Sequence, residues 1–172
     1  MNDRAIPQHV LDAFWQRWGN NSFMRAQGLQ VEIAGIGEAI VRLPEVQETQ
    51  RGGGGSADVL NGGVIAYMFD GALGCAIASA LLERPEARSI DPTELRQSTI
   101  NLDVTYIKAA VGGHFAAHGR VLRASLSTAF AEGHLLDSRG QICATAKGIW
   151  RVFWPRTAAQ HVANPTTDST RP

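Results

Sequence analysis

The sequence predicts an α+β fold in which an antiparallel sheet of about six strands wraps around one long central helix. Three features carry that expectation. Residues 61–83 read as a helix that is apolar nearly all the way round, a pattern that belongs to a helix buried on most sides. From Ser98 onward the pattern switches to alternation with a period of two, interrupted by short turn signals. The chain has 172 residues with 44% apolar and 19% charged side chains, the size and balance of one compact domain around a single core.

Over residues 9–19, Val10, Leu11, Phe14, Trp15 and Trp18 recur at spacings of three and four, which describes an amphipathic packing helix ended by Gly19. A loop over 19–27 leads into β-rich runs at 29–33 and 38–43, separated by Ala34-Gly35-Ile36-Gly37 as a hairpin and stopped by Pro44. Residues 45–59 are polar and Gly-rich and read as a loop. Its GGGGS would be a linker between separate domains, but the preceding stretch is too short for a core of its own and the helix that follows needs a sheet to cover it. Residues 84–96, with two prolines and six charged side chains, form a solvated connection with a short helix at Pro92-Thr93-Glu94-Leu95. Ile100, Leu102, Val104 and Tyr106 then alternate, and runs at 114–122, 127–136 and 141–153 follow across turns at Val111-Gly112-Gly113, Arg123-Ala124-Ser125 and Asp137-Ser138-Arg139-Gly140. Consecutive strands with short turns predict an antiparallel meander of four strands. Beyond Pro155 apolar periodicity is lost. The chain therefore divides into an N-terminal helix and lead-in (1–27), one folded domain (28–154) and a flexible tail (155–172), with no internal repeat.

Composition excludes several classes of function. Sixteen Lys+Arg balance 16 Asp+Glu, leaving no positive field for a nucleic-acid partner. Cys75 and Cys143 form no CxxC or other metal-ligand spacing and read as packing residues of a reducing compartment. The N-terminus lacks a basic segment followed by an apolar one, so the expected location is the cytoplasm. Residues 64–82 approach the length that spans a bilayer, but their single charge, Asp70, lies near the centre, where it costs roughly 2.5–3.5 kcal/mol on insertion. The flanks are not markedly basic, so the segment reads as a core helix, with no membrane partner.

Two places can carry chemistry. At the start of the long helix, Asn61 is a favoured N-cap, and the first-turn N–H groups of Gly62 and Gly63 lack intrahelical partners and carry the positive end of the dipole. Such an end holds a developing oxyanion, and the glycines let a ligand approach the backbone closely; a plain helix cap is the alternative. Asp70, mid-helix among apolar neighbours, needs a partner, a water channel or a raised pKa, as a structural carboxylate or as a catalytic base or nucleophile. Gly62 and Asp70 are roughly 12 Å apart along one helix axis, too far to act on one carbonyl and its attacking water. If they cooperate, they come from different copies of the helix, which predicts a site shared across a homodimer.

Weaker candidates surround these. Tyr67, Phe69 and Tyr106 hint at an apolar pocket, with a core role as the alternative. Lys108, Arg120, Arg123, Lys147 and Arg151 could meet the phosphates of a ligand at a strand end or serve only as solvated charges. His114 and His118 lie about 13 Å apart on one strand face, too far for a shared metal. The Gly52–Gly55 run lacks the Lys-Ser/Thr of a phosphate loop, and no Gly-x-Ser-x-Gly elbow is present.

The segment Leu60-Asn-Gly-Gly-Val-Ile-Ala-Tyr-Met-Phe-Asp70-Gly-Ala-Leu-Gly resembles the His-Gly-Gly…Asp helix signature of hotdog-fold acyl-CoA thioesterases of the phenylacetate-pathway type. Asn101-Leu-Asp-Val-Thr-Tyr-Ile-Lys-Ala-Ala110 is similar to that family's strand ending in an aromatic residue, a basic residue and Pro-Ala. Arg120-Val-Leu-Arg and the run from Asp137 to Gly148 follow its strand and turn pattern, and the likeness spans residues 28–153. The resemblance implies hydrolysis of an acyl-CoA by a dimer, often a dimer of dimers, with interface sites and no metal or redox cofactor. It puts Asp70 on the carboxylate that activates water or attacks the thioester, and Gly62 on the N–H that polarises the carbonyl. Thr99 falls on a hydroxyl that helps orient water; Gly63, Tyr67, Tyr106 and Lys108 are the expected substrate contacts.

Two departures from the family pattern stand out. Asn61 replaces the usual His, which removes any imidazole acid at that position but leaves an amide that can hold the carbonyl or cap the helix, and Gly55 replaces a frequent Asn. The rival readings are a non-catalytic module that binds acyl-CoA, favoured by the missing His, and a hotdog dehydratase or hydratase, which usually pairs a His with its carboxylate.

Overall fold

The computed structural model describes residues 5–19, 21–53 and 56–155. An amphipathic helix, α1 (Gln8–Trp18), turns Val10 and Phe14 inward. It is followed by a short helix α2 (Ser22–Ala26), where the sequence suggested only loop. Asn21 explains the difference, because its Oδ1 accepts the Met24 N–H at 3.1 Å and stabilises a helix too short to show periodicity.

The hairpin β1 (Gln30–Gly35) and β2 (Glu38–Leu43) forms where expected, turning at Gly37 with φ +78°. The Gly37 N–H donates to Ser79 Oγ at 2.9 Å, which ties this turn to the central helix. Residues 45–59 are not a plain loop. A 3₁₀ turn (Glu48–Gln50) leads into a two-stranded sheet of β3 (Arg51–Gly53) and β4 (Ser56–Leu60). Pairing across the polar run supplied what its composition concealed. The run is no linker, since the Asn61 N–H donates to the Gln50 carbonyl at 2.8 Å and the Leu60 N–H to that of Ala110 at 2.9 Å.

The central helix α3 (Gly62–Leu82) is the expected one. Met68, Phe69, Leu73, Ile77 and Leu81 are fully buried, each worth about 1.5–3 kcal/mol of burial. By length and composition α3 could cross a membrane, but its apolar stretch is 67% buried inside this fold, which accounts for that hydrophobicity. The connection after it holds two 3₁₀ turns, Pro85–Ser89 and Pro92–Glu94, the second close to the short helix expected there.

The remaining strands are β5 (Arg96–Tyr106), β6 (Phe115–Ala124), β7 (Thr128–Leu136) and β8 (Ile142–Phe153). The main sheet is six-stranded and antiparallel, ordered β1-β2-β6-β7-β8-β5. The four-strand meander is therefore corrected to three, because β5 pairs with β8 at the far edge instead of with β6. Alternation announces strands but not their neighbours. A register shift between Thr99 and Asn101 turns Ile100 outward, 61% exposed, against the strict alternation read there.

Along the helix-facing rows small residues let the layers meet closely: a Cβ built on Gly119 would stand 2.7 Å from the Ala72 backbone. The next register row, with Ile40, His118, His134 and Thr145 side by side, faces away from α3. Residues 156–172, the bulk of the expected tail, and Gly55 lie outside the described residues.

Candidate active site

The start of α3 is held by local hydrogen bonds. Asn61 Oδ1 accepts the Gly63 N–H at 2.8 Å, and the Asn61 carbonyl accepts those of Val64 and Ile65. Gln50, only 3% exposed, accepts the Gln47 N–H at Oε1 and donates through Nε2 to the Gln27 carbonyl, so the residue on which Asn61 rests is itself fixed. The cap consumes the Gly63 N–H. Among the described residues nothing accepts that of Gly62, which leaves it as the donor able to meet a ligand carbonyl. The Tyr106 hydroxyl donates to the Gly62 carbonyl at 2.8 Å. Tyr106 is 53% exposed, so it belongs to this helix start and not to the core.

Two turns further along α3 lies the second group. Asp70 is half-buried, and its Oδ1 accepts a 2.6 Å hydrogen bond from Thr99 Oγ1 on the edge strand β5. Of the outcomes open to a carboxylate in apolar surroundings, a partner beside a cavity is the one observed. The cavity, about 170 Å³, runs from Asp70 and Thr99 past Tyr67 to Trp150. Burial, then the Asp70 charge, raises the Tyr67 phenol above its ordinary range, with Asn21 opposing. Burial also pushes the Cys75 thiol up to about 12, with Asp70 adding to it, so Cys75 is not a nucleophile. Both cysteines are free and buried.

Lys108 is held elsewhere. Its Nζ lies 2.8 Å from Asp137 Oδ2 in the β7–β8 turn, where the Asp137 side chain is only 7% exposed. The Lys108 hydrogen bond, followed by the Gln141 N–H, draws the Asp137 carboxyl down to about 2. The lysine charge is already partnered.

Thr99 thus joins Asp70 and Tyr67 in one group, and Asn61, Gly63 and Tyr106 join Gly62 in another, with Lys108 apart from both. Sequence reasoning missed the far wall of the Asp70 cavity: Phe14, Trp15, Trp18 and Met24 of the first two helices, with Gln97 and Trp150 from the sheet. The aromatic stripe of α1 was visible, but not where it docks. It weighed His118 against His114 and missed its pairing with His134 across β6 and β7, where the rings stack 5.0 Å apart. They border a larger groove of about 920 Å³ on the sheet face away from α3, which contains neither Asp70 nor the helix start. Among the described residues no group of three His, Cys, Asp or Glu side chains could hold a metal ion.

Residues 57–144 match the sequence model of the Thioesterase superfamily. The chain is 33% identical over 135 residues to the medium/long-chain acyl-CoA thioesterase YigI of Salmonella typhimurium, covering 76% of this chain and 84% of that one. It is 32% identical over 132 residues to a putative esterase of Halobacterium salinarum, covering 73% and 81%. In fold it is similar to a thioesterase family protein of Silicibacter pomeroyi, with a TM-score of 0.70 at 16% identity over 85% of this chain and 99% of that one. The PaaI protein of Escherichia coli, from the phenylacetic acid degradation operon, superposes with a TM-score of 0.64 at 15% identity over 84% and 96%.

Proposed function

The chain belongs to the thioesterase superfamily and has its hotdog fold, and from that premise we propose that it hydrolyses an acyl-CoA thioester with Asp70 as general base or nucleophile. The observation that carries this reading is the Thr99 hydroxyl on Asp70 at a cavity, on a helix whose first N–H meets no acceptor among the described residues. A carboxylate this deep in an apolar helix weakens a mere binding site, yet it suits a group that must take a proton. As base, Asp70 removes a proton from water while the water oxygen bonds to the carbonyl carbon, and Thr99 keeps the carboxylate aimed. The Gly62 N–H receives the oxyanion, strengthened by the positive end of α3. Collapse breaks the C–S bond and releases the acid and the CoA thiolate. Asn61 acts as the cap that leaves Gly62 free. Gly63, Tyr67 and Tyr106 border the substrate, whereas Lys108, held by Asp137, stands apart from it.

Asp70 and Gly62, about 12 Å apart along α3, serve one carbonyl only if two copies each contribute one of them. The edge strand β5 supports that pairing, with its outer side unpaired among the described residues, Ile100 and Tyr106 more than half exposed, and Ile107 just beyond its end equally so. The test is thiol release from a panel of acyl-CoAs by wild type and Asp70→Asn. Turnover is expected to fall about 10²–10⁴-fold in the variant, the share that a general base supplies. Near wild-type kcat in a folded Asp70→Asn protein would remove the mechanism, and CoA-ester binding without turnover would favour the binding module.

A further inference from the structure

We infer that the two N-terminal helices set the size of the acyl group that is taken best. The inference rests on the hydrolase reading and concerns the far end of the Asp70 cavity. Neither helix falls within residues 57–144, which match the family model, yet α1 and α2 supply one whole wall: Phe14, Trp15 and Trp18 from α1, with Met24 from α2. These side chains are locked together. Phe14 meets Trp15 edge-on at 5.0 Å and stacks on Trp18 at 5.3 Å. Met24 presses on the helix at a position stripped for it, since a Cβ on Gly71 would stand 2.5 Å from Met24 Cε.

The space they wall, about 170 Å³, is open on another side and carries Asp70, Gln97 and Thr99 on its lining, so the two helices bound it from one direction. Trp15, 44% exposed, is the outermost aromatic side chain of the wall, and its removal loses less buried surface than that of Phe14, which is 1% exposed. Val31, half-buried on β1, faces the same space and offers the opposite change.

The experiment measures kcat/KM for butanoyl-, hexanoyl-, octanoyl-, dodecanoyl- and hexadecanoyl-CoA with wild type, Trp15→Ala, Val31→Phe and Asp70→Asn. Ratios between substrates are read within each protein, so an inactive fraction cancels. Trp15→Ala is expected to raise the dodecanoyl-to-hexanoyl ratio about tenfold or more over that of wild type, and Val31→Phe to shift the ratios toward butanoyl-CoA by a similar factor. Ratios unmoved in both variants would overturn the inference while leaving the hydrolase reading intact. No thiol release from any ester by wild type, indistinguishable from Asp70→Asn, would bring down both.

Discussion

The bond from Thr99 to Asp70 is the most informative contact at the scale of single residues, because it joins the edge strand to the centre of the helix through two side chains that chemistry could use. A hydroxyl donating to a carboxylate is a charge-assisted hydrogen bond, worth about 1.5–3 kcal/mol. Thr99→Val keeps the shape and removes the donor. If the bond aims Asp70 in the transition state, kcat/KM falls about 10–100-fold with little change in folding. Steady-state kinetics and a melting curve check this, and undiminished kcat would make Thr99 a spectator. Asn61 has its role defined by the same local accounting. Its side chain is spent on Gly63, so the helix offers a ligand one backbone donor, Gly62.

At the scale of elements, the helix and sheet meet along rows of small residues, and that closeness is what the fold depends on. Gly119→Ala puts a methyl 2.7 Å from the Ala72 backbone, which has no flexible end to move aside. A cost of about 1–3 kcal/mol follows, read as a Tm lowered by several degrees. An unchanged Tm would mean that the layers separate freely. The outer face carries a different property. Burial, then the neighbouring His134, then Arg42 lower the His118 pKa, with Glu32 opposing. A histidine depressed on folding binds its proton more readily in the unfolded chain, so its contribution is complete above the ordinary value near 6.5 and is lost as the pH falls through it. Melting curves between about pH 8 and pH 5 should therefore decline more steeply for wild type than for His118→Gln. Parallel declines would show that His118 does not contribute.

For the whole molecule the question is how many copies make one site. Gly62→Pro provides a handle, since proline at the first helical position preserves the helix and deletes the N–H in question, while the exposed Tyr106 side chain, whose hydroxyl would lie 3.3 Å from the added Cβ, shifts slightly to admit it. Asn61 already has the extended backbone that a following proline requires, with φ −61° and ψ 134°. Asp70→Asn and Gly62→Pro subunits, each inactive alone, are expected to regain about a quarter of wild-type activity when mixed at random, because half the pairs are mixed and each holds one intact site of two. Demonstrated mixed pairs without recovery would assign both groups to one subunit.

Much of this was legible in the chain. The helix over α3 announced itself because burial on nearly all sides demands apolar residues on nearly all sides, and Asp70 stood out as the one charge there. Alternation announced β5 to β8, and the Asn-Gly-Gly start of α3 carried its own capping chemistry, since both are local in sequence. The bulge at Ile100, the hairpin in the Gly-rich run, the place of β5 beside β8 and the His118–His134 stack were not legible. Strand order and register are chosen by pairing energies between segments far apart in the chain. The aromatic stripe of α1 and the carboxylate of Asp70 were each visible alone. Only packing brought them around one cavity, because a periodic apolar face records that a helix must dock and carries no information about what it docks against.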